Sequence, residues 1–182
     1  LGPAKSYGKG VFKDIYEVLP GHFLEYDREG LKDRAYWELK AKEHTDSEKD
    51  TIEHTRWLVK DAVEMQMLSD IPISTFLSGG VDSSLVTAIC AKKLQKEGKN
   101  LNTFSFDFVN NHKYFKSNAY QPTVVRPWVH KLVAHSKTYH RYLECDNENM
   151  IENLYKAVDA RDLPCMADVE SSMLYFCSKV VK

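Results

Sequence analysis

From residue 46 onward the 182-residue chain reads as an α/β domain, a parallel sheet with flanking helices. Two observations predict it. Short runs of period two alternate with longer runs of helical period, strand then helix, through to the last residues. The run Ser78-Gly79-Gly80-Val81-Asp82-Ser83 also falls between a β-rich stretch and a helical one, where open parallel sheets carry their loops. Composition agrees: 43% hydrophobic and 12% aromatic residues call for a packed core rather than disorder. A net charge of −1 leaves no electrostatic footprint for nucleic acid or an anionic membrane.

The elements follow in order. Residues 1–45 form a distinct leading segment, rich in Gly, Pro and aromatics. Val11-Phe12 and Ile15-Tyr16 predict a short strand, Leu19-Pro20-Gly21-His22 a turn, and His22–Tyr26 a second strand closed by Asp27–Gly30, together a small hairpin. Thr45-Asp46-Ser47-Glu48 has capping-box spacing and predicts a helix start. Ile52, Thr55, Leu58, Val59, Ala62, Val63 and Met67 supply its inward face, and Ser69-Asp70-Ile71-Pro72 ends it.

Ile73–Leu77 then predicts a buried strand. The next helix runs through Leu85, Val86, Ala88, Ile89, Ala91 and Leu94, and Gly98 closes it. Leu101–Phe108 alternates as a strand, which completes a βαβ unit. Residues 110–121 read as a loop and 122–136 as a helix with Pro127 in its first turn. Thr138–Cys145 is a third strand, and helices follow over 147–160 and from Asp168 to the end.

The four cysteines, Cys90, Cys145, Cys165 and Cys177, lack the spacing of a zinc or redox motif. They are expected as small buried hydrophobes of a reduced, cytoplasmic protein. No run is long and apolar enough to predict a membrane span. His112, His130, His135 and His140 show no metal-ligand spacing, and Lys113 and Lys116 read as solvated loop residues.

The chemistry concentrates in the Gly-Gly loop. Two glycines allow positive φ and close backbone approach. Ser78 and Ser83 bring hydroxyls, and the following helix brings unpaired N–H groups and positive dipole, a combination suited to phosphate. Asp82 repels phosphate unless a cation such as Mg²⁺ neutralises both. Without Gly-Lys-Ser/Thr or G-x-G-x-x-G, the loop is neither a Walker loop nor a dinucleotide fingerprint. The purely structural alternative is a Gly-Gly turn in which Asp82 or Ser83 caps the helix.

SGGVDS resembles the pyrophosphate loop of the N-type ATP pyrophosphatases, which have an adenine nucleotide alpha-hydrolase-like, Rossmann-like fold. Further runs resemble the glutamine-hydrolysing asparagine synthetases of bacteria. These are Gly10–Ile15, Leu19–His22, Tyr36-Trp37, Ser69–Pro72, Thr103–Phe106 and Asp162-Leu163-Pro164 with Asp168. The resemblance implies a junction segment over 1–45 and the first part of the synthetase domain over 46–182. It implies that Ser78, Gly79, Gly80, Asp82 and Ser83 hold pyrophosphate, with Asp82 the catalytic residue and ligand to Mg²⁺. Backbone groups of Leu77 and Phe106 would read adenine, and Asp162 and Asp168 would face the amino-acid substrate. It also implies ATP, aspartate and ammonia from a glutaminase domain as the reactants, joined through β-aspartyl-AMP.

Two departures accompany the resemblance. Leu1 stands where the glutaminase half has its cysteine nucleophile, and the sequence stops at Lys179-Val180-Val181-Lys182, before the family's second acidic signature. The expectation is a truncated domain, inactive alone, whose exposed sheet edge favours a homodimer. Two other functions remain open: another adenylating amidotransferase of the β-lactam-synthetase kind, and a nucleotide-binding domain without catalysis.

Overall fold

The computed structural model describes residues 6–119, 121–162 and 169–180. Their contacts divide into two units, one reaching Ser47 and the other starting at Glu48.

In the first unit, β1 (His22–Asp27) and β2 (Gly30–Ala35) form an antiparallel hairpin in the register His22↔Ala35 to Asp27↔Gly30. Asp27 holds the turn by accepting the Glu29 N–H at 2.8 Å and the Lys32 ammonium at 2.9 Å. The strand predicted over Val11–Tyr16 does not form. A single antiparallel bridge, Lys9↔Tyr16, takes its place, because Asp14 in the left-handed region (φ 63°) turns the chain before a strand can extend.

The second unit opens with α1 (Glu48–Met65), which starts later than a cap at Thr45 would place it. No residue of α1 is buried, and Ile52 and Leu58 remain about half exposed, so the expected inward face is only partly covered. Val63, followed by Met67 just past the helix, packs against the buried cluster of Cys90, Ala91 and Leu101.

Three strands form a parallel sheet in the order β3 (Ser74–Phe76), β4 (Asn102–Phe108), β5 (Tyr139–Cys145). The registers are Thr75↔Thr103 and Thr103↔His140, so these three residues share a face. The helix α2 (Val81–Lys96) connects β3 to β4, and α4 (Arg126–Ser136) lies between β4 and β5. Between them, residues predicted as loop contain one helical turn, α3 (Asn111–Tyr114). Pro127 does stand in the first turn of α4, which begins four residues later than predicted. The last helices are α5 (Asn147–Arg161), capped by Asp146 accepting the Asn149 N–H, and α6 (Val169–Val180). This doubly covered parallel sheet is the adenine nucleotide alpha-hydrolase-like fold expected from the sequence.

Strand alternation separates two chemistries. Thr75, Thr103 and Ser105 face one side, where Thr75 and Thr87 of α2 share a hydroxyl–hydroxyl hydrogen bond of 2.9 Å. Phe76 and Phe106 face the other, where the Phe176 ring of α6 lies 5.6 Å and 4.2 Å from theirs. Of the cysteines, Cys90 and Cys145 are buried as expected, Cys177 is exposed against expectation, and Cys165 lies outside the described residues. Cys177 is exposed because Ser172 and Phe176, one turn apart, carry the buried face of α6. No helix among the described residues is long and apolar enough to cross a membrane.

Leu77, the residue that leaves β3 for the loop, is 1% exposed. Leu77→Ala is expected to destabilise the chain by about 3 kcal/mol, the usual loss for a cavity at a fully buried leucine. A urea titration should show a lower midpoint with an unchanged slope.

Candidate functional site

The loop lies beyond the carboxyl end of β3. Gly79 has φ +80°, and a Cβ there would sit 3.1 Å from the Val125 carbonyl oxygen, so a side chain is disfavoured by both the backbone conformation and a tight contact. Gly80 differs: its φ is −76°, and a Cβ would meet only the Ser78 hydroxyl at 3.5 Å. Its missing side chain leaves open space rather than relieving a clash.

The two serines close the loop on itself. Ser83 Oγ accepts the Ser78 N–H at 3.2 Å and lies 2.9 Å from Ser78 Oγ. Ser78 Oγ accepts the Gly80 N–H at 3.4 Å, and Ser83 Oγ donates to the Gly80 carbonyl at 3.3 Å. The hydroxyls expected to face an anion therefore also brace the backbone. Neither Asp82 nor Ser83 caps the helix: α2 begins at Val81 and takes no side-chain cap. The first helical bond joins the Ser84 N–H to the Gly80 carbonyl at 3.1 Å. The preceding N–H groups of α2 thus have no partner within the helix and sum with its dipole into a positive end.

Asp82 is exposed in the first turn of α2 rather than in the preceding loop. A carboxylate there is favoured by the dipole and available to a cation. No group of three or more metal-ligating side chains gathers among the described residues, so Asp82 offers a single carboxylate. An uncapped helix start, an open Gly80 and one adjacent carboxylate fit a phosphate with a hard divalent cation.

Leu77 donates its N–H to the Phe104 carbonyl at 2.8 Å, and its carbonyl accepts from the Ser105 hydroxyl. The β3–β4 register ends at Phe76↔Phe104, so Phe106, two residues on along the same edge of β4, lies past the end of that pairing. Asp162 ends α5 in the left-handed region (φ 55°) and is exposed. Asp168 lies outside the described residues. Lys113 stands on α3, Lys116 follows it, and both are exposed.

Sequence reasoning missed what α4 contributes. Trp128, Lys131 and His135 share a shallow hollow with Gly79 and Gly80, the Lys131 ammonium lying 4.5 Å from the centre of the Trp128 ring. Arg126 donates to Asp107 at the end of β4 and to Glu144 at the end of β5, and its guanidinium lies 4.3 Å from the centre of the Tyr142 ring. Its two carboxylate partners hold it firmly protonated. Asp107, 5% exposed, also accepts from Asn111 Nδ2 at 2.7 Å and the Phe108 N–H at 2.8 Å. One signal was present: a lone acid in an apolar strand, at the same alternation as Thr103 and Ser105.

His140 bonds Thr103 Oγ1 through Nδ1 at 2.9 Å, while its Nε2 is buried without a protein partner. Burial, aided by nearby His130, pushes its pKa below the usual value of about 6.5. The unfolded chain therefore binds the proton more readily. Stability is expected to be full above about pH 6.5 and to fall as pH drops through the lowered folded value. His140→Gln should flatten that part of a stability-against-pH profile; an unchanged slope would assign it to other groups.

The fold and the loop define an α/β domain of the adenine nucleotide alpha-hydrolase-like class. Within that class the chain belongs to the asparagine synthase family, whose pattern covers residues 54–182. It is 44% identical over its whole length to asparagine synthetase [glutamine-hydrolyzing] 3 of Bacillus subtilis, spanning 30% of that protein. It is 32% identical over 81% of its length to the putative asparagine synthetase [glutamine-hydrolyzing] 2 of Methanocaldococcus jannaschii, spanning 26% of it. Similarity also extends to the amidase chyE of Penicillium rubens, 33% identical over 57% of this chain and 16% of the amidase. The chain thus spans less than a third of these relatives.

Proposed function

We propose that the intact protein makes asparagine from aspartate in a cytoplasmic, ATP-dependent reaction, with residues 46–182 forming part of its synthetase domain and residues 1–45 the junction to a glutaminase domain. The aspartate side-chain carboxylate attacks the α-phosphorus of ATP, giving β-aspartyl-AMP and pyrophosphate. Ammonia released from glutamine then displaces AMP. The observation that carries this reading is the braced Ser78–Ser83 loop, closed by its own hydroxyls and open at Gly80, against the uncapped start of α2.

In this reading Ser78, Gly79, Gly80 and Ser83 hold the departing pyrophosphate, and Asp82 holds the Mg²⁺ that neutralises it. Electrostatic stabilisation of the leaving group is the largest contribution available to such chemistry. Backbone groups at Leu77 and Phe106 read the adenine edge, with Phe106 placed past the β3–β4 pairing. Asp162 and Asp168 face the amino-acid substrate, and residues 46–182 taken alone pair two copies into a dimer through the exposed sheet edge.

Pyrophosphate release by the intact protein, scanned over carboxylic acids with MgATP and ammonia, tests the reaction. Aspartate-dependent release with asparagine formed supports it. Release driven by a different carboxylate favours a second reading, an adenylating amidotransferase of the β-lactam-synthetase kind for another substrate, toward which the similarity to the amidase chyE points. No release with any acid contradicts both.

A further inference from the structure

We propose that Arg126 is a positioning residue for the Ser78–Ser83 loop, acting through Val125; this rests on the reading of that loop as an anion cradle. Arg126 is the first residue of α4, a place where the helix dipole disfavours a cation. No acidic residue occupies the first turn of α4, and no side chain caps it. What holds the guanidinium there comes from the sheet: Asp107 at the end of β4, Glu144 at the end of β5, and the Tyr142 ring beneath. One planar fork thus ties the carboxyl ends of two strands to the start of a helix, a geometry available to arginine and not to lysine.

The adjoining residue, Val125, is what Gly79 rests against. Its carbonyl oxygen and Cβ lie 3.1 Å and 3.4 Å from where a Gly79 Cβ would be, with Val129 Cγ2 also at 3.4 Å. The same Val125 carbonyl accepts the Trp128 and Val129 N–H groups at 3.0 Å and 3.2 Å, so it moves only with the first turn of α4. Pinning Arg126 therefore fixes the wall behind the loop. It also neutralises part of the charge of two carboxylates on the side from which that wall is built, which an incoming anion would otherwise meet.

The test uses Arg126→Lys, which keeps the charge and loses the fork, so a failure to fold is not the expected result. Amide hydrogen exchange is read first, without any ligand. Faster exchange is expected in R126K than in the parent chain at Ser78, Trp128 and Val129, whose N–H groups bond Ser83 Oγ and the Val125 carbonyl, and unchanged exchange overturns the proposal. Calorimetric titration with inorganic pyrophosphate and Mg²⁺ is read second. R126K should bind about tenfold more weakly, within what an ångström-scale misplacement of positioned groups produces. Its effect should be less than additive with Gly79→Ala, which disturbs the same contact, and additive with Asp82→Ala, which does not. Equal affinity, or additivity with Gly79→Ala, overturns the proposal. If the parent chain binds no pyrophosphate, the anion-cradle reading fails, and the exchange rates alone decide whether Arg126 positions the loop.

Discussion

Asp82→Ala is expected to lower the turnover of the intact protein by about a thousandfold, the upper range for removal of a charge-stabilising group at a reacting phosphate. The reason is local. Asp82 is the acidic residue in the first turn of α2, and no cluster of three or more ligating side chains among the described residues offers a substitute. Without it, a divalent cation beside the proposed pyrophosphate would lose the carboxylate that Asp82 offers. Stability should change little. The carboxylate is exposed and helps the fold only through the positive end of the helix, worth about 0.5 kcal/mol. Steady-state kinetics beside a thermal melt separate the two effects. Near-normal turnover would remove Asp82 from the mechanism.

The second large effect is expected at Gly79, with its neighbour as the internal control. Gly79→Ala forces a left-handed backbone (φ +80°) on alanine, a penalty of about 1 kcal/mol, and brings its Cβ to 3.1 Å from the Val125 carbonyl. Either the loop or the start of α4 must shift, so stability should fall by about 2 kcal/mol and turnover by about a hundredfold. Gly80→Ala meets neither obstacle. Its φ of −76° suits alanine, and its Cβ would have only ordinary contact with Ser78 Oγ. Alanine is a poorer helix N-cap than glycine, but it also restricts the unfolded chain, and the two effects roughly cancel. The Cβ would, however, project into the space proposed for the anion. Gly80→Ala should therefore melt like the parent and bind pyrophosphate about tenfold more weakly. Matching stability losses at both glycines would mean that Gly80 is required by the fold rather than by a ligand.

The stretch over residues 73–98 was legible because every local signal agreed. Pro72 ends what precedes it, a β-rich run of five residues reaches a Gly pair, helical spacing follows, and Gly98 (φ +72°) lies just past the helix end. The structure places β3, the loop and α2 there, with α2 starting inside the motif rather than after it. Over Val11–Tyr16 the apolar pairs were real but too short, and the turn at Asp14 outweighs them. The apolar spacing of α1 was equally readable, yet its half-exposed Ile52 and Leu58 show that periodicity states which face is apolar and not how much of it is covered.

The Asp107–Arg126–Glu144 cluster was illegible for a different reason. Its members are 19 and 18 residues apart, on two strand ends and a helix start. They meet only because parallel pairing aligns Asp107 with Glu144. No sequence pattern encodes such a meeting; it is a product of register. The same holds for Lys131 and His135, whose nearness to the Gly-Gly loop depends on how α4 packs beside α2.

Binding of pyrophosphate by the Ser78–Ser83 loop is open to a direct test: NMR of the backbone amides while inorganic pyrophosphate is added with Mg²⁺. Saturable shifts centred on Gly79, Gly80, Asp82 and Ser83 are expected, weakened in Asp82→Ala and Gly80→Ala. Shifts confined to other lysine-bearing surfaces, or none at the loop under saturating pyrophosphate, would contradict it.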